Sequence, residues 1–397
     1  MKNKNIETTL ATAGRKKEWT SGIVNPPVYR ASTILFDTYA DLQQGIKNAT
    51  ELKLFYGRKG TPTHWALREA MCELEGSAAA GAMLYPSGLS AICSAILSIV
   101  KAGDHILITD SAYEPTRYFA NGTLRKMGVK TTYYDPMIGA GIEALMQENT
   151  TVVLVEAPGS LTFEVQDIPA IAKQAHKAEA FVIMDNTWAT PLLYRAFDHG
   201  VDISIHAATK YICGHSDVMM GITVANERAW PLIEKTTHEM GLTTSPDDAA
   251  LVLRGLRTLG IRLKSHEENA LLVASWLDNH PMVERVLHPA FKSCPGHEIW
   301  QRDFEGSSGL FSIVLKQGSY DDSAALVDGM KYFKMGFSWG GYESLILPSD
   351  PNRVRSATKF EASGPLIRLH IGLESPDDLI EDLSAGLERF TAKVTNA

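Results

Sequence analysis

The sequence has little cysteine, no long apolar run and no excess of basic charge, and each shortage removes a class of protein. Its four cysteines, Cys72, Cys93, Cys213 and Cys294, include no C-x-x-C pair and no histidines at zinc-finger spacing. A disulfide framework and a structural zinc site are therefore excluded. Free thiols in a reducing compartment are expected, which places the protein in the cytoplasm, and no metal is expected. The most apolar stretch, 91–100, is interrupted by Ser94 and Ser98 and is too short to span a bilayer. Residues 1–20 are polar and charged, without the apolar centre of a secretory signal. Against 46 acidic residues stand 38 basic ones, a formal net charge of −8. That balance offers no electrostatic footprint for nucleic acid or an anionic membrane. A small anionic substrate would have to be met by local cations. Also missing are G-x-G-x-x-G and G-x-x-x-x-G-K-[ST], which weakens any dinucleotide or nucleotide reading.

What is present is a chain of 397 residues, 45% hydrophobic, long enough for a large core and more than one domain. Between 81 and 226, apolar strand-like runs at 81–85, 105–109, 130–134, 151–156, 181–185, 202–206 and 221–224 alternate with helical patterns such as 89–101 and 169–177. Several runs are continuously apolar, as strands covered by helices on both faces require. The pattern predicts a doubly wound α/β domain with a mostly parallel seven-stranded sheet, assigned to residues 61–256. Residues 1–60, with Pro26-Pro27 and several polar turns, do not fit the alternation. They read as an extended arm with room for one short helix, packed on a neighbouring subunit. A long helical pattern after about 245 runs through Leu253, Leu256, Leu259, Leu263, Leu271 and Trp276. A smaller C-terminal α+β domain, 257–397, follows, with strands expected at 309–315 and 366–373. Its last helix should start with Ser375 as N-cap, Pro376 at the first position, and Asp377 and Asp378 near the positive end of the dipole. No internal repeat or low-complexity segment interrupts the chain.

Ligands gather at the carboxyl ends of strands in open α/β sheets, so residues that close the apolar runs carry most of the functional information. Asp185 ends one run and Lys210 follows another, in Ala207-Ala-Thr-Lys210. A lysine that can bond a cofactor aldehyde and an aspartate that keeps a pyridine nitrogen protonated are the two roles pyridoxal phosphate (PLP) requires. A free lysine near pKa ~10.4 is almost wholly protonated at neutral pH; burial among small uncharged neighbours removes that handicap. Tyr85-Pro-Ser-Gly88-Leu89 joins a strand to a helix, and the free amides of a first helical turn form an anion site. Tyr113, after the run 105–109, either stacks on a planar ring or is a core tyrosine. Arg58 offers a planar fork to phosphate oxygens, although a surface arginine is the default reading. Arg368, between apolar residues of a predicted strand, must find an anion: a structural carboxylate or a substrate α-carboxylate.

Seven segments carry a family resemblance: Phe55-Tyr-Gly-Arg58, Cys72-Glu-Leu-Glu-Gly76, Asp185-Asn-Thr-Trp188, Ala207-Ala-Thr-Lys-Tyr211, Arg254-Gly-Leu-Arg-Thr-Leu259, Ser338-Trp-Gly-Gly-Tyr-Glu-Ser-Leu345 and Arg368-Leu-His-Ile-Gly372. In that order they resemble the trans-sulfuration (Cys/Met metabolism) family of PLP-dependent enzymes over nearly the whole chain. The resemblance implies the aspartate-aminotransferase-like fold (PLP fold type I) and a homotetramer built from two active dimers. It implies Lys210 as Schiff-base lysine and proton carrier, Asp185 as pyridinium partner, and Tyr113 stacked on the ring. Gly88, Leu89 and Thr209 would hold the phosphate, joined by Tyr56 and Arg58 from a neighbouring subunit, with Tyr56 also reaching the substrate. Arg368 would bind the α-carboxylate, beside Ser338 and Trp339. Two positions depart from the family pattern: Ala207 stands where many members have Ser, and Ser160 where many have Asn, leaving the contact to the ring hydroxyl open. The activity implied is β-elimination of an amino-acid thioether, L-cystathionine giving homocysteine, pyruvate and ammonia for methionine biosynthesis, with cysteine desulfhydrase or cysteine-conjugate cleavage as a side activity. γ-Specific members usually carry Glu and Leu where this chain has Phe337 and Trp339. The alternatives are a γ-lyase or γ-synthase of the same family, or a PLP-binding regulator without catalysis.

Overall fold

The computed structural model describes residues 5–48 and 52–396. Its larger sheet contains Gly81–Tyr85 (β1), His105–Thr109 (β2), Lys130–Tyr134 (β3), Thr150–Glu156 (β4), Phe181–Asp185 (β5), Ile203–Ala207 (β6) and Gly221–Ala225 (β7). The strands lie in the order β1-β7-β6-β5-β4-β2-β3. Only β7 runs antiparallel to its neighbours; the pairs from β6 to β3 are parallel. Helices cover both faces, so β2 is buried at every position, and the burial of its unbroken His-Ile-Leu-Ile-Thr run explains why the sequence lacks alternation there. The chain passes from β2 to β3 on one side and returns to β4 on the other. The crevice between β2 and β4 is thus the topological switch point where α/β sheets place their ligands.

The seven runs read from the sequence are these seven strands, with ends shifted by a residue at β4, β6 and β7. The smaller sheet was only half legible. It holds Val283–Leu287 (β8), Leu310–Leu315 (β9), Leu345–Ser349 (β10) and Leu366–His370 (β11), all antiparallel in the order β10-β11-β9-β8. β8 and β10 escaped the sequence reading because Glu284 and Arg285 interrupt one and Pro348 the other. The run at 366–373 stops at His370, where Ile371 turns back to bond Gly309. The continuous helical pattern after 245 is two helices, Pro246–Leu256 and Leu259–Asp278. Ser375 does precede the final helix, Pro376–Thr395, yet its side chain makes no capping hydrogen bond.

The N-terminal segment is more helical and more attached to its own chain than an extended arm. Ile6–Thr12, Lys17–Thr20 and Tyr39–Lys47 are α-helices. Leu10, Ala13 and Trp19 are buried, Trp19 lies 6.1 Å from Trp65, and Arg257 donates to the carbonyls of Leu10 and Ala13. Three apolar anchors in so polar a stretch give no periodicity, which hides them from sequence reasoning. Beyond residue 22 the segment changes character: Ile23, Leu35, Tyr39 and Tyr56 stay exposed. Among the described residues no helix is long and apolar enough to cross a membrane.

Candidate active site

A cavity of about 420 Å³ opens over the carboxyl ends of the large sheet. The loops after β2 and β4 border it, the end of β5 and the turn after β6 form its base, and the small domain closes it with Arg368 and the turn at 337–339. Gly88, Leu89, Tyr113, Asp185, Thr209, Lys210, Ser338, Trp339 and Arg368, all singled out from the sequence, line it together.

Lys210 follows β6 in a turn closed by its own amide on the Ala207 carbonyl. Its Nζ donates to Ser338 Oγ at 2.6 Å and lies 5.2 Å from the Trp339 ring. Among the described residues no carboxylate lies within ion-pair distance of it. Withdrawal from water, reinforced by the positive charge of Arg368 and opposed by Asp185, pulls the ammonium down to about 8. An amine so shifted is available in its neutral, nucleophilic form near physiological pH.

Asp185 closes β5. Its Oδ1 accepts from the Thr187 amide and hydroxyl, and that hydroxyl oxygen accepts from the Ala207 amide. Its Oδ2 has no hydrogen-bond partner among the described residues. Burial raises this carboxyl above its ordinary value, against the bonds from Thr187 and the charges of His206 and Lys210. A cationic ring nitrogen at Oδ2 would satisfy the open oxygen and restore the carboxylate. At the other side of the base, the helix Gly88–Leu97 begins with Ser87 capping Ser90, while the amides of Gly88 and Leu89 have no partner among the described residues. Gly88 is required by closeness: a Cβ there would lie 2.6 Å from that of Ala207. The amides and the helix dipole make an anion cradle, with a dipole contribution of about 0.3–1 kcal/mol. Thr209 stands beside it, its hydroxyl exchanging bonds with the backbone of Met220. The open carboxylate oxygen, the cradle and the low-pKa lysine fit the nitrogen, phosphate and aldehyde of PLP.

Tyr113 is 45% exposed, so its ring is a cavity wall and not a core side chain. Its amide donates to Glu156 Oε2 at 2.7 Å, which fixes where the ring stands. Glu156 was missed from the sequence although it ends β4 as Asp185 ends β5, with the two in direct register; the same signal would have found it. Burial pushes the Glu156 carboxyl well up and neighbouring Asp185 adds to that, against the amides of Tyr113 and Ser160. Thr187 and Met219 also line the cavity and were not singled out from the sequence. Ser160 lines it too.

Arg368 has no carboxylate within ion-pair distance among the described residues. It donates to the carbonyls of Ser338 and Gly336, and burial pulls its guanidinium down to about 10. Of the two anions the sequence left open, the structural carboxylate is absent among the described residues. Ser338 itself sits at φ +90°, a conformation that costs a non-glycine residue about 1–3 kcal/mol and that presents its hydroxyl to Lys210 while its carbonyl meets Arg368. Tyr56 and Arg58 do not line the cavity of their own chain; Arg58 instead donates to the His238 carbonyl at 2.8 Å. Among the described residues no cluster of His, Cys, Asp or Glu could hold a metal ion.

Comparison with known proteins gives a coherent set. A family model described as Cys/Met metabolism PLP-dependent enzyme matches residues 7–388. The chain is 48% identical to the cystathionine beta-lyase of Escherichia coli K12 over 396 residues, covering 98% of this chain and 100% of that one. It is 47% identical to the cystathionine beta-lyase of Haemophilus influenzae over 391 residues, 97% of this chain and 98% of the other. A solved cystathionine gamma synthase from Xanthomonas oryzae pv. oryzae, in complex with cystathionine, superposes with a TM-score of 0.87 at 33% identity, covering 97% of this chain and 98% of that one.

The lowered Lys210 pKa predicts selective reactivity in the cofactor-free protein. Acylation of Lys210, followed by peptide mass spectrometry against pH, should be half-maximal near pH 8, whereas surface lysines should still be gaining reactivity above ~10. By linkage the charged amine is disfavoured in the fold, so the folded chain should gain stability as pH rises from about 8 toward the unfolded value of ~10.4. A Lys210 profile matching the surface lysines would contradict the burial argument.

Proposed function

The chain belongs to the Cys/Met metabolism family of PLP-dependent enzymes, and from that premise we propose that it is a carbon–sulfur lyase cleaving L-cystathionine to homocysteine, pyruvate and ammonia. Asp185 would hold the pyridine nitrogen, Gly88, Leu89 and Thr209 the phosphate, Tyr113 the ring face, and Lys210 the aldehyde carbon. Bound PLP supplies the electron sink that stabilises the pair left when the substrate Cα proton departs. The chain's own residues do the rest. Arg368 orients the substrate through its α-carboxylate, leaving Cα facing Lys210. The neutral Lys210 amine takes the Cα proton, and its bond to Ser338 Oγ holds it in place for the transfer. The leaving thiolate is reprotonated by Lys210 or by Tyr113, whose phenol burial and the carboxylates of Asp185 and Glu156 keep protonated. Trp339 and Phe337 keep that side of the cavity apolar.

The observation that carries the β-elimination reading is the turn facing Lys210, where Phe337 and Trp339 flank Ser338 and line the cavity. Removal of a group from Cγ needs further proton transfers, and neither side chain can accept or donate one. The identity of 47–48% over almost the whole chain with relatives named as β-lyases supports the same reading; the γ-synthase structure shares the fold at lower identity. Cleavage of cysteine and its conjugates follows as a side activity, because the α-carboxylate and Cα sites do not discriminate the distal group. The protein acts in the cytoplasm as a dimer of dimers, with residues 1–60 as the inter-subunit segment, 61–256 as the PLP-binding domain and 257–397 as the closing domain. Tyr56 and Arg58 then serve a neighbour's cavity. Support comes from their distance from their own cavity and from the exposed side chains of Leu35 and Tyr39 in the same segment.

Two experiments test this. Purified protein given L-cystathionine should release pyruvate and homocysteine in equal amounts; 2-oxobutyrate and cysteine as main products would show γ-elimination. Separately inactive Arg58→Ala and Lys210→Ala chains, dissociated and reassembled together, should regain activity up to about a quarter of wild type, since about half of the pairs are mixed and a mixed pair collects both defects in one site and leaves the other whole. No gain over the parents would show that Arg58 acts within its own chain.

A further inference from the structure

The substrate site is shared between two domains: Tyr113 belongs to the large one and Arg368 to the small one. The connection between β10 and β11, the strand that carries Arg368, crosses back to the large domain, where the buried carboxylate of Asp110 gathers most of its hydrogen bonds. Asp110, one residue past β2 and three before Tyr113, is 1% exposed. It accepts the amides of Ser356, Ala357 and Thr358 at 3.0, 3.0 and 2.8 Å, and the Thr358 hydroxyl at 2.8 Å. Arg117 bonds both sides of the clasp, donating to Asp110 Oδ1 and to Ser356 Oγ, each at 2.8 Å. Beside it Arg355 pairs with Glu164 at 2.7 Å, both side chains nearly buried, and also donates to Thr162.

Both anchor loops border the cavity, and they are tied to each other. The Ser160 amide donates to the Ser111 carbonyl at 2.8 Å, and Gly159 packs so closely on Ser111 that a Cβ would lie 2.4 Å from its hydroxyl. A carboxylate that accepts three successive amides is matched to a fixed concave backbone and transmits position and not merely attraction. Burial disfavours the charge on Asp110, yet the amides, the Thr358 hydroxyl and Arg117 together hold its pKa below the ordinary value, so the clasp is anionic at neutral pH.

We propose that Asp110 is a positioning residue for the reaction: by holding residues 356–358 against the Tyr113 loop, it sets the spacing between Tyr113 and Arg368 and thereby the fit of the amino-acid substrate. The inference rests on Arg368 as the α-carboxylate site. It assigns Asp110 no contact with substrate; misplacement of the carboxylate site acts on binding before it acts on chemistry.

The test uses PLP-loaded Asp110→Asn and, because a buried carboxylate can be needed for folding, a Ser356→Ala/Thr358→Val double variant that touches only side chains of the clasp. Three quantities are read: KM and kcat with L-cystathionine, the midpoint of the visible spectral change on titration with L-alanine, and the rate of tryptic cleavage after Arg353, Arg355 and Lys359. Asp110→Asn should raise KM and the alanine midpoint about tenfold with kcat held within about threefold, the pattern of lost uniform binding. Tryptic cleavage should quicken and the spectrum without amino acid should be unchanged. The double variant should move each quantity in the same direction by less. Faster cleavage with wild-type KM and midpoint would overturn the proposal, as would unchanged cleavage, or a fall in kcat alone. Should Asp110→Asn fail to fold, the double variant decides by the same criteria. If wild-type protein releases no pyruvate from L-cystathionine, the lyase reading fails, while the alanine midpoint still tests the clasp.

Discussion

A lysine ammonium removed from water without a carboxylate to pair with is unfavourable, and the site is arranged around that condition. Lys210 has a neutral hydroxyl, Ser338 Oγ, as its hydrogen-bond partner, a ring beside it in Trp339 and the like charge of Arg368 nearby. Burial and the charge of Arg368 disfavour the proton on its nitrogen, while the hydroxyl and the ring face only partly compensate for the lost water. Asp185 is close enough to oppose the shift but is itself half satisfied by Thr187. The result is an amine able to bond an aldehyde and then to carry a proton, next to a carboxyl whose open oxygen awaits a cation. PLP at the proposed site would offer a cation to Asp185 and an aldehyde to Lys210.

The supporting structure serves that arrangement. Parallel strands β4, β5 and β6 deliver Glu156, Asp185 and the Lys210 turn to one rim, and the change of direction beside β2 opens the crevice for Tyr113. The small domain then contributes what the large sheet cannot, the Arg368 cation proposed for the substrate carboxylate and the strained Ser338 turn. Strain there is sustained because Gly340 packs against the Lys210 backbone so tightly that a Cβ would lie 2.8 Å from the Tyr211 amide. The clasp at Asp110 completes the circuit from one domain to the other.

How much of this the sequence disclosed follows from where the information is local. The seven strands of the large sheet were readable because burial on both faces leaves unbroken apolar runs. Lys210, Asp185, Gly88 and Tyr113 were readable because they close those runs or follow them within a few residues. Strands β8 and β10 were not, since Glu284, Arg285 and Pro348 break their patterns on an edge where charge and proline are tolerated. Glu156 was overlooked although its signal equals that of Asp185. Asp110 was invisible for a deeper reason: its partners at 356–358 lie far along the chain in a polar loop, and nothing in either segment alone announces the contact. The N-terminal segment shows the same limit, with Leu10 and Trp19 docking onto a surface formed by residues far away.

The claim on which everything else turns is that Lys210 holds the cofactor. Sodium borohydride reduction of the PLP-loaded protein, followed by proteolysis and mass spectrometry, tests it directly. The account predicts loss of the visible absorption band and a single phosphopyridoxyl group on the peptide containing Lys210. Attachment to another lysine, or no covalent attachment with the band lost, would contradict it.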